Sequence, residues 1–332
     1  MPRLKKVTRA ELTVERRRRG KGYSYHDCDG NRVDDPAFLA RARALGIPPA
    51  WKSVRIALAQ NAHIQCCGID DAGRVQYIYH ADWEKKRSLK KHTRLTLLTL
   101  ALPRVRRRIA RDLSAEEGSQ ALALAIGVAL IDRTAMRVGR ERYLEASGTR
   151  GAGTLYARDV TVDGSEICTS FTAKGGKAAR YCFEDARLAA AISRIKTLPG
   201  KRLLVYRDDA GKVRPIKTES LNAYLRQIAG VDVSAKDFRT LHASAMAAEA
   251  LAALEPGGSE SARKRQIASV ARQVSEFLQN TPMICRKSYI APCLFTLFDK
   301  GRLADLWSAD ASGPSGLKQR ERRLGAVLAA IA

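Results

Sequence analysis

Between residues 84 and 95 the sequence changes its period, and this break limits what the chain can fold into. From Tyr23 to Trp83 it runs in short β-rich stretches separated by turns. These are YSYHDCDGNRV, a helical piece FLARARALG, then IPPAW, VRIALAQNAHIQCCGI and RVQYIYHADW, the last two joined as a hairpin around Asp70 to Gly73. Beyond Leu95 helical patterns dominate, so the basic, glycine-free run EKKRSLKKHTRL reads as a helix or linker at a domain boundary. The expected fold is α+β, in three parts. A small β-rich N-terminal domain spans 1–85, a larger, mostly α-helical domain with a three-stranded β meander spans 86–310, and a flexible linker with a C-terminal helix spans 311–332.

Within the larger part, LTLLTLALPRVRRRIARDL carries Pro103, which is able to break it. SQALALAIGVALIDRTAMRVGRERYLEAS reads as a largely buried helix with Arg137 at the end of its apolar run. Residues 154–183 alternate as three strands, with Lys174 at the mouth of the Gly175-Gly176 hairpin. Helical text returns over 184–274, where Lys236, Asp237 and Arg239 open a helix with an alanine-rich core face and His242 reads as a satisfied core residue. A further helix through RKRQIASVARQVSEFLQN delivers the chain to Thr281-Pro282. Residues 1–22, with Arg16 to Arg19 consecutive, read as a solvated tail or, second, as a phosphate-contacting arm.

Charge narrows the partners. A net +25 from 59 Lys+Arg against 34 Asp+Glu, spread along the whole length, attracts a polyanion. Nucleic acid fits best, with an anionic membrane surface second. No stretch approaches the ~18 consecutive apolar residues of a membrane span, and the first residues lack the apolar core of a signal peptide, so a cytoplasmic, nucleoid-associated protein without a membrane partner is expected. Seven cysteines without CxxC spacing read as reduced thiols, and five scattered histidines predict no metal. No GxxxxGK[ST] is present, and the GTRGAG and KGGK stretches do not qualify as nucleotide loops, so no nucleotide cofactor is expected.

The stretch LQNTPMICRKSYIAP, residues 278–292, sets Tyr289 behind Arg286 and Lys287. By itself it reads first as a basic surface helix with a snorkelling aromatic. The second reading is covalent catalysis, since a phenol with a free pKa near ~10 is a poor nucleophile at neutral pH and nearby cations favour its phenolate form. Lys174 reads likewise, first as the flank of an exposed hairpin and second as a lysine able to reach into a groove. On the RVQYIYHADW strand, Tyr77 and Tyr79 share one face and Gln76 takes the other; these faces are equally core or nucleic-acid contact.

Taken together, IPPAW, QYIYHADW, RVGRERYLEASGTRGAGTLYARDV, FTAKGGK, KDFRT and NTPMICRKSYI resemble the type IB DNA topoisomerases of the small poxvirus and bacterial kind, over nearly the whole chain. The resemblance implies a tyrosine recombinase/topoisomerase IB-like fold. It also implies relaxation of supercoiled duplex DNA by transient single-strand cleavage through a 3′-phosphotyrosyl intermediate, strand rotation and religation without ATP or metal. Tyr289 would be the nucleophile. Arg137 and Arg239 would hold the non-bridging oxygens, Lys174 would protonate the departing 5′ oxygen, and Asn280 would donate a hydrogen bond to the phosphate where poxvirus relatives carry histidine. Lys236 would be an auxiliary basic contact, and Gln76, Tyr77 and Tyr79 would touch duplex DNA from the N-terminal domain. One chain carries the whole set, so a monomer is expected.

Two other readings compete. A tyrosine recombinase shares the Arg, Lys, Arg, Tyr chemistry, but here the second arginine sits in KDFRT rather than HxxR and the N-terminal half is β-rich. A non-enzymatic architectural DNA-binding protein accounts for the charge and leaves Tyr289 without a task.

Overall fold

The computed structural model describes residues 3–309 and 318–331, so most of the expected linker SADASGPSG lies outside the described residues. The chain divides into two compact units, Met1–Lys90 and Lys91–Ala332.

The N-terminal unit is built on a five-stranded antiparallel sheet in the order β2-β1-β3-β4-β5. The strands are β1 Val14–Arg19, β2 Gly22–His26, β3 Lys52–Ile56, β4 Ile64–Ile69 and β5 Val75–Tyr79, with helix α1 Pro36–Ala44 between β2 and β3. Asp35 caps α1 by accepting from the Phe38 amide at 2.8 Å. The arginine run is a correction to the expected tail, because Arg16 to Arg19 pair with Gly22 to Tyr25. Arg16 is what anchors the run. Its guanidinium donates to the carbonyls of Ile47, Pro48 and Trp51 at 3.3, 3.1 and 2.9 Å and stacks 4.2 Å from the Tyr23 ring. Cys66 and Cys67 alternate between the two apolar clusters of the unit, as adjacent strand residues must. Burial pushes the Cys66 thiol up to about 12, which makes it a packing residue.

The next helix, α2 Ala81–Asp112, runs without interruption from the residues after β5. EKKRSLKKHTRL is therefore helix rather than linker, and Pro103 lies inside α2 without ending it. Proline removes one ladder bond, but Leu95, Leu98, Leu102, Val105 and Ile109 bury one face of α2 and outweigh that loss.

In the C-terminal unit follow α3 Gln120–Thr134, α4 Glu141–Ser147, β6 Val160–Asp163, β7 Glu166–Thr172, β8 Ala178–Glu184, α5 Ala186–Ile195, the short pair β9 Val205–Arg207 and β10 Val213–Pro215, α6 Thr218–Ala229, α7 Ala235–Ala252 and α8 Glu260–Phe277. The chain ends through the single turn α9 Pro282–Ile284, a π turn at Cys285–Tyr289, then α10 Pro292–Asp299, α11 Leu303–Ser308 and α12 Gln319–Ala329. Helix α3 is apolar all round from Ala121 to Ile131 and is part of the core, with Asp132 buried at its end. Gly127 lets it close on its neighbours, since a Cβ there would lie 2.6 Å from Leu221 and 2.7 Å from Leu204.

The three-stranded meander β6-β7-β8 forms as expected. Its cysteines do not remain reduced. The β7–β8 register sets half-buried Cys168 opposite exposed Cys182, and the two form a disulfide. Their separation of 14 residues carries no motif, so only the strand pairing shows the bond.

A buried ion network fixes the terminal helix. Arg106 on α2 donates to Asp132 on α3 at 2.8 Å and to Glu321 on α12 at 2.7 Å. Burial pushes the Asp132 carboxyl up, but the hydrogen bonds and charge of Arg106 outweigh it and hold the group below the usual carboxylate range. A depressed folded pKa means this stabilisation is present above the unfolded pKa near ~4 and is lost as pH falls through the folded one. Arg106→Leu strands two buried carboxylates, and we expect a loss of ~3–5 kcal/mol in urea unfolding at neutral pH. An unchanged midpoint would show that α12 is not held this way.

Candidate active site

Arg137 sits beyond a helix end that the sequence does not announce. The expected helix over 119–147 is broken, because Ala135 takes the left-handed conformation at φ 53° and closes α3. Thr134 reinforces the stop by donating to Leu130 O at 2.6 Å and accepting from the Met136 amide at 3.1 Å. Arg137 then lies in an extended link, and the GTRGAG loop crosses it. The Ala152 amide donates to Arg137 O at 2.9 Å and the Gly153 amide to Val138 O at 2.7 Å. Gly139, at φ 78°, and Gly151 make this crossing possible, since a side chain on either would run into the backbone of the other segment. The glycine-rich loop thus serves to place Arg137.

Arg239 comes from the first turns of α7, one turn beyond Lys236 on the same face. It is only 2% exposed. Its guanidinium donates to the carbonyl of Ala135 and, at 2.8 Å, to Leu278 O at the end of α8. One side chain therefore ties together the two segments that lead to Arg137 and to Tyr289. Its Nε is buried without a partner.

After α8 the chain reverses at Gln279, φ 48°, and restarts at Thr281, whose Oγ1 accepts from the Ile284 amide at 3.3 Å. The π turn closes with the Ile290 amide donating to Cys285 O at 3.0 Å and sets Tyr289 at its end.

Arg137, Lys174, Lys236, Arg239 and Tyr289 meet in one cavity of about 360 Å³. The Arg239 guanidinium carbon lies 4.9 Å and Lys236 Nζ 5.8 Å from the Tyr289 ring centroid. Lys174 reaches the same cavity from the β7–β8 turn, which closes through Ala173 N–H to Lys177 O at 2.7 Å. None of the residues lining the cavity is acidic. Burial, then the neighbouring Arg239 charge, lowers the Arg137 pKa, with Tyr289, Tyr181 and Cys285 opposing. Two guanidiniums that repel each other without a carboxylate between them form a site for an anion.

Asn280 is not among the residues that line this cavity. Asn280 lines a neighbouring depression with Lys177 and Gln279, and its Oδ1 accepts from the Thr281 amide at 3.0 Å. Gln76, Tyr77 and Tyr79 stand on β5 in the N-terminal unit, at the sheet edge. Tyr77, 38% exposed, lies 6.1 Å from the Tyr79 ring on the same face, and Gln76 Nε2 donates to Asp70 Oδ2 at 2.8 Å. Tyr79 also packs on the apolar cluster, so that face is partly core.

Sequence reasoning missed Tyr143, Thr149 and Arg150, which also line the cavity. Arg150 is held by Asp159 at 2.7 Å and lies 5.0 Å over Tyr156. The only local signal was their membership in RVGRERYLEASGTRGAG, where no periodicity distinguishes them from loop residues.

Residues 80–291 match the family model of the catalytic core of eukaryotic DNA topoisomerase I, and the chain belongs to that family. Residues 22–70 match the N-terminal domain of bacterial DNA topoisomerase IB, so the molecule is a DNA topoisomerase of type IB, an isomerase acting on DNA. DNA topoisomerase 1B of Acanthamoeba polyphaga mimivirus is 26% identical over 284 residues, covering 83% of this chain and 84% of that protein. Among the described residues no helix is long and apolar enough to cross a membrane.

Proposed function

We propose that the enzyme relaxes supercoiled duplex DNA through a 3′-phosphotyrosyl intermediate formed on Tyr289. The observation that carries this reading is the buried Arg239 guanidinium, with an unpartnered Nε, against the Tyr289 ring in an acid-free basic cavity. Tyr289 Oη gives up its proton to solvent as it attacks the phosphorus, and the bond to the 5′ oxygen breaks. Lys174, on its exposed turn, gives that oxygen a proton. Negative charge grows on the non-bridging oxygens, where the Arg137 and Arg239 forks supply paired donors that a lysine would not. Asn280 contributes its Nδ2 from the adjoining depression, Oδ1 being engaged, and Lys236 adds positive charge beside the ring.

The phosphodiester energy is kept in the tyrosyl ester, so after strand rotation the free 5′ hydroxyl reseals the strand by the reverse path without ATP or metal. Gln76, Tyr77 and Tyr79 contact the duplex from the N-terminal unit, and one chain, acting as a monomer in the cytoplasmic nucleoid, carries the complete set.

Relaxation of a negatively supercoiled plasmid is expected to proceed in EDTA without ATP. A strict Mg²⁺ requirement would refute the metal-independent path. Binding is expected to weaken steeply as salt rises, since the net charge of +25 implies counterion release. A flat salt dependence, measured by filter binding, would contradict a phosphate-dominated interface.

A further inference from the structure

In the three peptide groups that follow Tyr289 the backbone pairs the Ile290 N–H with Cys285 O at 3.0 Å and Ala291 O with the Leu294 N–H at 3.1 Å. Among the described residues it leaves Tyr289 O, Ile290 O and the Ala291 N–H without a backbone partner. The π turn ends at Tyr289, Ile290 is extended at φ −82° and ψ 135°, and Pro292, which opens α10, has no N–H to give. Side chains supply what the backbone cannot. Ser244 Oγ, fully buried on α7, donates to Tyr289 O at 3.3 Å and accepts from the Ala291 amide at 3.0 Å. Lys91 Nζ, from α2, donates to Ile290 O at 2.8 Å.

Lys91 is an unexpected residue for this place. Burial and then the charge of Lys236 push its pKa down to about 8, with Cys293 opposing. No carboxylate faces it among these groups. An ammonium held in a partly dry site for a single carbonyl costs stability that an apolar side chain would not. It also places a cation next to the Lys236 that faces the tyrosine ring.

We propose that Lys91 is a positioning residue for the nucleophile, fixing with Ser244 the peptide groups after Tyr289 so that the phenol is held for in-line attack. This rests on the assignment of Tyr289 above. Removing such a support displaces the reacting oxygen without touching DNA, and a displacement of ~1 Å costs on the order of 10²-fold in rate.

The test uses the full chain with Lys91→Met, Lys91→Arg and Ser244→Ala. Single-turnover cleavage and religation are followed on a short duplex whose cleaved strand dissociates, and the duplex Kd is measured with each change placed in a Tyr289→Phe background. Lys91→Met is expected to lower the cleavage and religation rates by about 10- to 100-fold with Kd nearly unchanged and the thermal transition retained. Lys91→Arg restores most of the rate, because a guanidinium can reach the same carbonyl. Ser244→Ala shows a smaller loss of the same kind.

Wild-type rates in Lys91→Met would overturn the proposal, and so would a rate loss matched by an equal loss in Kd, which would make Lys91 a phosphate contact. Failure of Lys91→Arg to rescue in a folded variant would also count against it. If Tyr289→Phe itself still cleaved, the assignment of the nucleophile would fail instead, which is a separate result.

Discussion

Tyr289→Phe is expected to abolish plasmid relaxation and the covalent protein–DNA adduct, and to leave duplex binding nearly intact. The change removes one oxygen and keeps the ring, so the contacts of that ring with Arg239 at 4.9 Å and Lys236 at 5.8 Å survive. The apolar packing of the π turn also survives, because Cys285 and Ile290 remain buried on either side. What disappears is the only atom that can form the tyrosyl ester. Plasmid incubated in EDTA and stopped with denaturant gives both readouts in one experiment. Relaxation that persists in the variant would remove Tyr289 from the chemistry, and loss of binding together with activity would make it a structural residue.

Arg239→Ala and Arg137→Ala are each expected to lower single-turnover cleavage by ~10²-fold or more, the scale for loss of one donor to developing charge. The two should differ in stability. Arg239 satisfies the buried carbonyls of Ala135 and Leu278, and its removal orphans both, at about 1–3 kcal/mol each. Arg137 bears no such load, since its own carbonyl is bonded by the Ala152 amide and the crossing of Gly139 with Gly151 does not involve its side chain. Arg239→Lys separates the two effects at that position by keeping a charge while losing the fork. Urea unfolding beside cleavage kinetics checks the pair. Wild-type cleavage in both alanine variants would end the proposed phosphate clamp, and equal stability losses would contradict the structural role given to Arg239 alone.

Much of the fold was legible because its signals are local. The apolar run of α3, the alternation of β6 to β8 and the Thr281-Pro282 restart each depend on residues a few positions apart. The residue types in the site became legible only through the joint resemblance of several blocks, since NTPMICRKSYI by itself reads first as a basic surface helix. Long-range partners were not legible. Arg16 to Arg19 form a strand by pairing with Gly22 to Tyr25, and the Arg16 side chain is held by the distant carbonyls of Ile47, Pro48 and Trp51. Pro103 stays inside α2 because a buried face holds the helix through it.

The sequence alone therefore determined the α+β class and the basic character, since periodicity and charge are read along the chain, while the set of chemical groups followed from the resemblance of its blocks to a known family. The tertiary structure alone decided that α3 stops at Ala135, that Cys168 meets Cys182, and that Arg137, Lys174, Lys236, Arg239 and Tyr289 share one cavity while Asn280 borders another. Each of these depends on contacts between residues far apart in sequence, such as Arg239 reaching Ala135 and Leu278, and such contacts exist only once the core has brought the segments together.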